Sequence, residues 1–200
     1  MKKKFLESSI DIIKNNKKYT DEEIEVIAYG LEGLYLTFTK AIIIFGIAIY
    51  LGIFRKLLYL LVAYNIIRSQ AFGIHASKSI YCLISSLIMF IGGTYLCMYL
   101  VLPLWLKVTI SLLCCIFLLI YAPADTHKRP IVNTKKRKRF KFLSTFFGIV
   151  YIILIIILDR NIISNFLLLG MIYATIMILP TTYKIFKMPY DNYKNYKYGV

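Results

Sequence analysis

Unbroken apolar runs dominate the chain beyond residue 40, at 41–54, 57–67, 80–102, 104–122, 142–158 and 162–180. The four longer runs come near the ~20 residues that an α-helix needs to cross a hydrocarbon core. Each therefore predicts a transmembrane helix. The pattern before them differs. Residues 1–18 are basic and polar with a short amphipathic repeat (Phe5, Leu6, Ser9, Ile10, Ile13), and Thr20-Asp-Glu-Glu23 has the form of a capping box that opens a helix. Along that helix Ile24, Ile27, Ala28, Leu31, Leu34 and Phe38 recur close to helical spacing, with Glu22, Glu25 and Glu32 on the other side. This predicts an amphipathic helix lying on the interface, or one packed against the membrane bundle.

The runs 41–54 and 57–67 are short and separated by Arg55-Lys56. Runs of 10–14 residues suit re-entrant or interfacial segments, so a shallow or re-entrant helical hairpin is expected over 41–67, its tip surrounded by protein that satisfies the backbone. The later runs alternate simply: 80–102 leaves the inner face, Pro103 turns, 104–122 returns, 142–158 leaves, Asp159-Arg160-Asn161 turns, and 162–180 returns. The expected fold is thus an all-α integral membrane protein. It has about four full transmembrane helices, the short hairpin and the N-terminal interfacial helix. One membrane-embedded domain, 1–200, divides into interfacial helices 1–40, hairpin 41–67, a polar segment 68–82, transmembrane hairpins 80–122 and 142–180, and a basic loop 123–141.

Composition agrees: 59% of residues are hydrophobic, where a soluble domain is nearer half. Met1-Lys-Lys-Lys resembles a basic leader, but Glu7, Asp11 and Lys14 interrupt the stretch after it, so no cleavable signal is expected. The net charge is +15 and uneven: seven of the ten acidic residues precede residue 33, whereas Lys128 to Lys141 holds eight basic residues and no acidic one. A basic run wedged between apolar spans is the mark of the positive-inside rule and of attraction to anionic lipid, and argues against nucleic-acid binding. It puts both termini and the basic loop in the cytoplasm of a multi-pass membrane protein. Lys128, Arg129, Lys135, Lys136, Arg137, Lys138 and Arg139 are also candidates for holding an acidic substrate tail.

The candidate chemistry is narrow. No carboxylate lies between Glu32 and Asp125, and the chain has two histidines, His75 and His127. His75 and Cys82 stand seven residues apart in Arg68-Ser-Gln-Ala-Phe-Gly-Ile-His-Ala-Ser-Lys-Ser-Ile-Tyr-Cys82. A thiol with an ordinary pKa near 8.5 is a weak nucleophile until a base takes its proton, and an imidazole can take it and later protonate a leaving amine. One continuous helix would hold the two about 10.5 Å apart along its axis. A catalytic pair therefore requires a break between them, for which Gly73 is suited. Ser77 or Ser79 could then cap the helix that carries Cys82, whose dipole favours a thiolate near its start. The bland alternative is a histidine and a cysteine that pack near each other by chance. Cys97, Cys114 and Cys115 lie in apolar runs, where cysteine acts as a small hydrophobe. Arg68, Gln70 and Gly73 are candidates for substrate or oxyanion contact, with a snorkelling anchor as the alternative for Arg68.

Other chemistries are poorly served. His127 reads as a solvated loop residue. Asp125 and Asp159, the candidates for an aspartyl pair, fall on opposite sides of the membrane. Two histidines without a local carboxylate fall short of a zinc site. Ser85 and Ser86 have no histidine placed for them. No metal or cofactor is expected. Outside catalysis, the short interrupted segments of 41–67 would also suit a small transporter or permease subunit that exports a peptide.

Gly73-Ile-His75-Ala76 followed by Cys82, downstream of Arg68, resembles the accessory gene regulator B (AgrB) family. So does Pro123-Ala-Asp-Thr-His-Lys-Arg-Pro130-Ile running into Lys135-Lys-Arg-Lys-Arg139. The resemblance covers nearly the whole chain. It implies a membrane cysteine endopeptidase of the bacterial cell membrane. Such an enzyme cuts a quorum-sensing propeptide of the AgrD type, with His75 and Cys82 as the catalytic pair. The acyl-enzyme is a thioester, resolved by a cysteine of the peptide to give a thiolactone ring. A homodimer is a further expectation. One departure stands out: the family commonly has two glycines before the residue that precedes the histidine, and Phe72 takes the first of those positions.

Overall fold

The computed structural model describes residues 21–74, 79–126 and 131–195. Among them every regular element is helical, and the isolated contact between Phe72 and Ala124 is the β-type pairing that matters for the site. Two compact units divide at Gly52/Ile53.

The first unit contains α1, Asp21–Tyr50, a single helix of 30 residues and so about 45 Å long. The expected interfacial helix and the first arm of the expected hairpin are thus one element. Nothing around Lys40 breaks helical geometry, and a change from mixed to apolar composition does not by itself stop a helix. The stop comes at Gly52, whose φ of +68° is the left-handed conformation that glycine supplies at helix ends. Leu51 N–H reaches Ile47 O at 2.9 Å and Gly52 N–H reaches Ile49 O at 3.0 Å. Arg55 and Lys56 do not separate two segments; they lie in the first turn of the next helix.

The second unit begins with α2, Phe54–Ala71, followed by α3, Ser79–Leu87, a π-helical turn at Ile88–Gly92 and α4, Gly93–Tyr99. Then come α5, Leu104–Tyr121, and α6, Thr134–Ile157. Last are α7, Ile163–Ile176, and the short α8, Pro180–Ile185, and α9, Asn192–Asn195. Pro103 starts α5, its carbonyl accepting from Leu106 and Lys107 N–H at 3.1 and 3.2 Å. Asn133 caps α6 by accepting Lys136 N–H at 3.1 Å, so the basic run from Lys135 is helix rather than loop.

Among the described residues three helices are long and apolar enough to cross a membrane: Ile80–Tyr99, Leu104–Tyr121 and Thr134–Ile157. Only 22% of the apolar window of each is buried inside the protein. The remaining apolar surface, including Leu112, Leu113, Ile116 and Ile120 on α5, calls for lipid rather than water. The fourth expected span is represented by α7, whose 14 residues fall short of a full crossing. Its stop is set by the turn at Met177–Leu179 ahead of Pro180, which opens α8 at a position where proline is tolerated.

The core of this unit forms where α2 lies against α7 and where α5, α6 and α7 meet. Ala63, Ile67, Ala71, Cys114, Leu118, Met171, Ala174 and Ile178 are all buried there. Gly170 lets α2 and α7 touch at backbone distance: a Cβ at that position would stand 2.8 Å from Ala63 Cβ and 2.8 Å from Tyr64 N. Gly170→Ala must therefore push the helices apart, and is expected to cost about 1–3 kcal/mol, read as a lower melting temperature of the detergent-solubilised protein. Cys97 and Cys114 are buried thiols.

Candidate active site

The site is built from the backbone between α2 and α3. Phe72 N–H closes α2 on Arg68 O at 3.0 Å, and the chain then turns sharply, with φ +58° at Phe72 and +109° at Gly73. Both values lie where L side chains are rare. Phe72 holds this glycine-type conformation with its ring edge-on to Phe140, centroids 5.0 Å apart. Such a contact, worth about 0.5–1.5 kcal/mol beyond burial, offsets part of a backbone cost of order 1–3 kcal/mol. This explains the chain's departure from the two-glycine pattern: the turn is still of glycine type, and an aromatic contact holds it in place.

The next peptide groups are fixed on all sides. Gly73 N–H donates to Ala124 O at 2.8 Å, Ala124 N–H donates to Ala71 O at 2.9 Å, and Ile74 N–H donates to Met177 O at 3.1 Å. The Arg68 guanidinium reaches along α2 and donates through Nη2 to Ile74 O at 2.5 Å. Ile74, the residue immediately before His75, thus has both its N–H and its carbonyl pinned. His75, Ala76, Ser77 and Lys78 lie outside the described residues, as does the Ser79 side chain, so the expected capping by Ser77 or Ser79 falls there too. The described chain resumes with α3, and Cys82 sits half-buried in its first turn. Its carbonyl accepts Ser85 Oγ at 3.1 Å. Helical structure ends at Ala71, Phe72 to Ile74 are not helical, and the described chain resumes in helix at Ser79, so Arg68 and Cys82 belong to separate helices.

Arg68 is turned inward. Its Nη1 is buried with no hydrogen-bond acceptor among the described residues. It lies so close to Gly73 that a Cβ there would collide with it and with the Met177 carbonyl. Tyr64, one turn earlier on the same face, lies within electrostatic range of both Arg68 and Cys82 and packs edge-on to Phe90 of the π-turn at 5.4 Å. Gln70 is not brought to this cluster; its Nε2 donates to Ser69 Oγ at 3.1 Å on an exposed side of α2. Gly73 N–H is already used by Ala124.

The basic residues separate into two groups. Lys135, Lys136, Lys138 and Arg139 are exposed along the first turns of α6, whereas Arg137 is half-buried and faces Asp125. Lys128 and Arg129 lie outside the described residues, as does His127. Asp159 is held by Lys107 Nζ, which donates to its carbonyl at 2.9 Å and to Oδ1 at 3.1 Å. It lies near the start of α5 and Asp125 beyond its end, a helix length of about 27 Å apart, which rules out an aspartyl pair within this chain. Among the described residues no three His, Cys, Asp or Glu side chains gather.

Sequence reasoning missed the carbonyl of Met177, which no residue type announces. It also missed Tyr183, whose Oη donates to Asp125 O at 2.9 Å. Burial pushes the Tyr183 phenol up and Arg68 opposes it, so it remains a donor at neutral pH. Burial likewise holds the neighbouring Tyr190 up at about 12. A lone acid in a strongly basic stretch was the visible signal for Asp125.

Among the described residues, apolar helices long enough to span a bilayer describe a helical membrane protein. The family described as Accessory gene regulator B matches residues 6–178. A protein of Clostridium acetobutylicum described as AgrB-like is 32% identical over 187 residues, 92% of this chain and 90% of that protein. An AgrB-like protein of Listeria innocua is 25% identical over 96% of this chain and 95% of its own length. The accessory gene regulator protein B of Staphylococcus aureus is 32% identical over 77% of this chain and 81% of that protein. No solved structure matches. The chain belongs to the accessory gene regulator B family, and with it to the accessory gene regulator quorum-sensing system.

Proposed function

We propose that the protein is a membrane cysteine endopeptidase that cuts an AgrD-like propeptide and leaves the upstream part ready to cyclise. The observation that carries this reading is the double anchoring of Ile74, by Met177 and Arg68, directly before the one histidine of the segment and ahead of a separate helix that presents Cys82. A fixed backbone before an imidazole is what a general base needs, because proton transfer demands hydrogen-bond reach and alignment.

His75 takes the proton from Cys82 Sγ, and the thiolate attacks the scissile carbonyl. The C–N bond breaks as His75 returns the proton to the departing amine, leaving the upstream peptide on Cys82 as a thioester. A cysteine thiol within that peptide then attacks the same carbonyl, its proton passing to His75. Cys82 leaves as thiolate and recovers the proton, and the peptide departs as a thiolactone. One thioester replaces another, so the exchange is close to balanced. Ring closure gains from the high effective concentration of a tethered thiol. Arg68 orients the turn before His75 through its hydrogen bond to the Ile74 carbonyl. The exposed basic face of α6, Lys135, Lys136, Lys138 and Arg139, attracts the acidic tail of the propeptide and anionic lipid. The chain crosses the bacterial membrane several times, with both termini in the cytoplasm.

The test is co-expression with a short candidate propeptide and mass spectrometry of the purified protein. A propeptide fragment held on Cys82 through a hydroxylamine-sensitive bond is expected in the wild type and absent from Cys82→Ala. Unchanged cleavage by Cys82→Ala would refute the reading and favour a peptide transporter.

A further inference from the structure

Asp125 is the buried carboxylate of the second unit: its side chain is 2% exposed, against 34% for Asp159 and 32% for Asp191. Burying a carboxylate is unfavourable unless it is paired and hydrogen-bonded, and among the described residues the groups that meet it are donors. Oδ2 accepts Tyr193 N–H at 2.9 Å and Ile131 N–H at 3.3 Å, and Oδ1 accepts Asn192 N–H at 3.1 Å. Arg137 Nη1 stands 3.7 Å from Oδ2. The same guanidinium lies over the Tyr193 ring, 3.5 Å from its centroid, and Nη2 reaches Pro123 O at 3.4 Å. The Asp125 carbonyl is also occupied, by Tyr183 Oη and by Asn192 Nδ2 at 3.4 Å.

Four stretches of the chain therefore converge on one residue: the nearby loop at Ile131 and the start of α6, and the distant α8 and C-terminal segment at Asn192–Tyr193. The neighbour of that residue, Ala124, makes the two hydrogen bonds that hold Ala71 and Gly73. A shift of Asp125 is a shift of Ala124, and a shift of Ala124 moves the peptide that leads into His75.

We infer that Asp125 is a positioning residue for the reaction. By gathering the C-terminal N–H groups and Arg137, it clamps Ala124 against the turn that presents His75, and makes the Asn192–Tyr193 segment a working part of the site. The inference rests on the His75–Cys82 reading given above. It also joins the basic start of α6 to the catalytic turn through Arg137, which faces inward where its described neighbours in that run face out.

Two variants in native membrane vesicles test it: Asp125→Asn in the full-length protein, which keeps volume but turns an acceptor into a donor toward N–H groups, and a chain ended after Pro189. The readouts are the rate at which iodoacetamide modifies Cys82 at about pH 7, followed on the Cys82 peptide by mass spectrometry, and kcat and KM for cleavage of a co-reconstituted propeptide. Both variants are expected to remain folded by thermal melting. Cys82 modification should fall toward the rate in His75→Ala, and kcat about a hundredfold, with KM held. A role in binding the substrate tail would instead raise KM and so overturn the positioning role. Wild-type modification rates in both variants would overturn the inference alone. So would global unfolding of both, since Asp125 would then hold the fold rather than the imidazole. A wild-type rate already equal to that of His75→Ala would sink the pair itself, and the positioning role with it.

Discussion

Exchange of His75 for glutamine is expected to slow propeptide cleavage by about 10²–10⁴-fold, with the protein still inserted and folded. Glutamine keeps a hydrogen-bonding head of similar reach but cannot take a proton from a thiol near neutrality. No carboxylate occurs between Glu32 and Asp125 to stand in for the imidazole, and Asp125 is enclosed by donors. Residues that act as one unit lose their effect together, so His75→Gln with Cys82→Ala should be no slower than Cys82→Ala alone. Initial rates with a co-reconstituted propeptide, measured for both single variants and the double variant, check this. A double variant far slower than either single one would mean that the two side chains serve separate steps.

Gly73→Ala is expected to cost at least as much in activity as removing Arg68, about a hundredfold or more. Two independent effects act in the same direction. The φ of +109° is a conformation alanine adopts at a cost of order 1–3 kcal/mol. The added methyl also runs into Arg68 Nη1 and the Met177 carbonyl. The guanidinium can swing aside, but the carbonyl belongs to backbone that accepts Ile74 N–H at 3.1 Å. Relief therefore breaks the anchoring of Ile74, and the loss should appear in kcat together with a lower melting temperature. A Gly73→Ala protein with wild-type kcat would show that the anchoring is dispensable.

How far the sequence revealed this arrangement depends on the kind of signal each part carries. The three long apolar helices were legible because lipid exposure demands a composition that nothing else in a protein requires. Family membership was legible from Gly73-Ile-His75-Ala76, Cys82 and the basic stretch after Pro123. The junction at Lys40 was misplaced because helix propensity and membrane depth are different properties: Asp21–Tyr50 changes its surroundings without changing its backbone. Gly52, at φ +68°, is the stop, and the charged pair Arg55-Lys56 lies beyond it in the first turn of α2. The fourth crossing is not confirmed, because the apolar run from 162 to 180 does not show that the helix turns at Met177. Around the site, the residue types with chemistry were visible, but the contacts that place them were not. The Met177 and Ala124 carbonyls are backbone groups. Tyr183, Asn192 and Tyr193 come from a tail whose sequence reads only as basic and aromatic.

The most direct test of the claim that His75 activates Cys82 is the rate of Cys82 alkylation by iodoacetamide near neutral pH in wild type and His75→Ala, followed on the Cys82 peptide by mass spectrometry. Wild-type Cys82 should react at least about tenfold faster than Cys82 in His75→Ala, because only the wild type has an imidazole to take the thiol proton. Equal rates in the two proteins would contradict the claim.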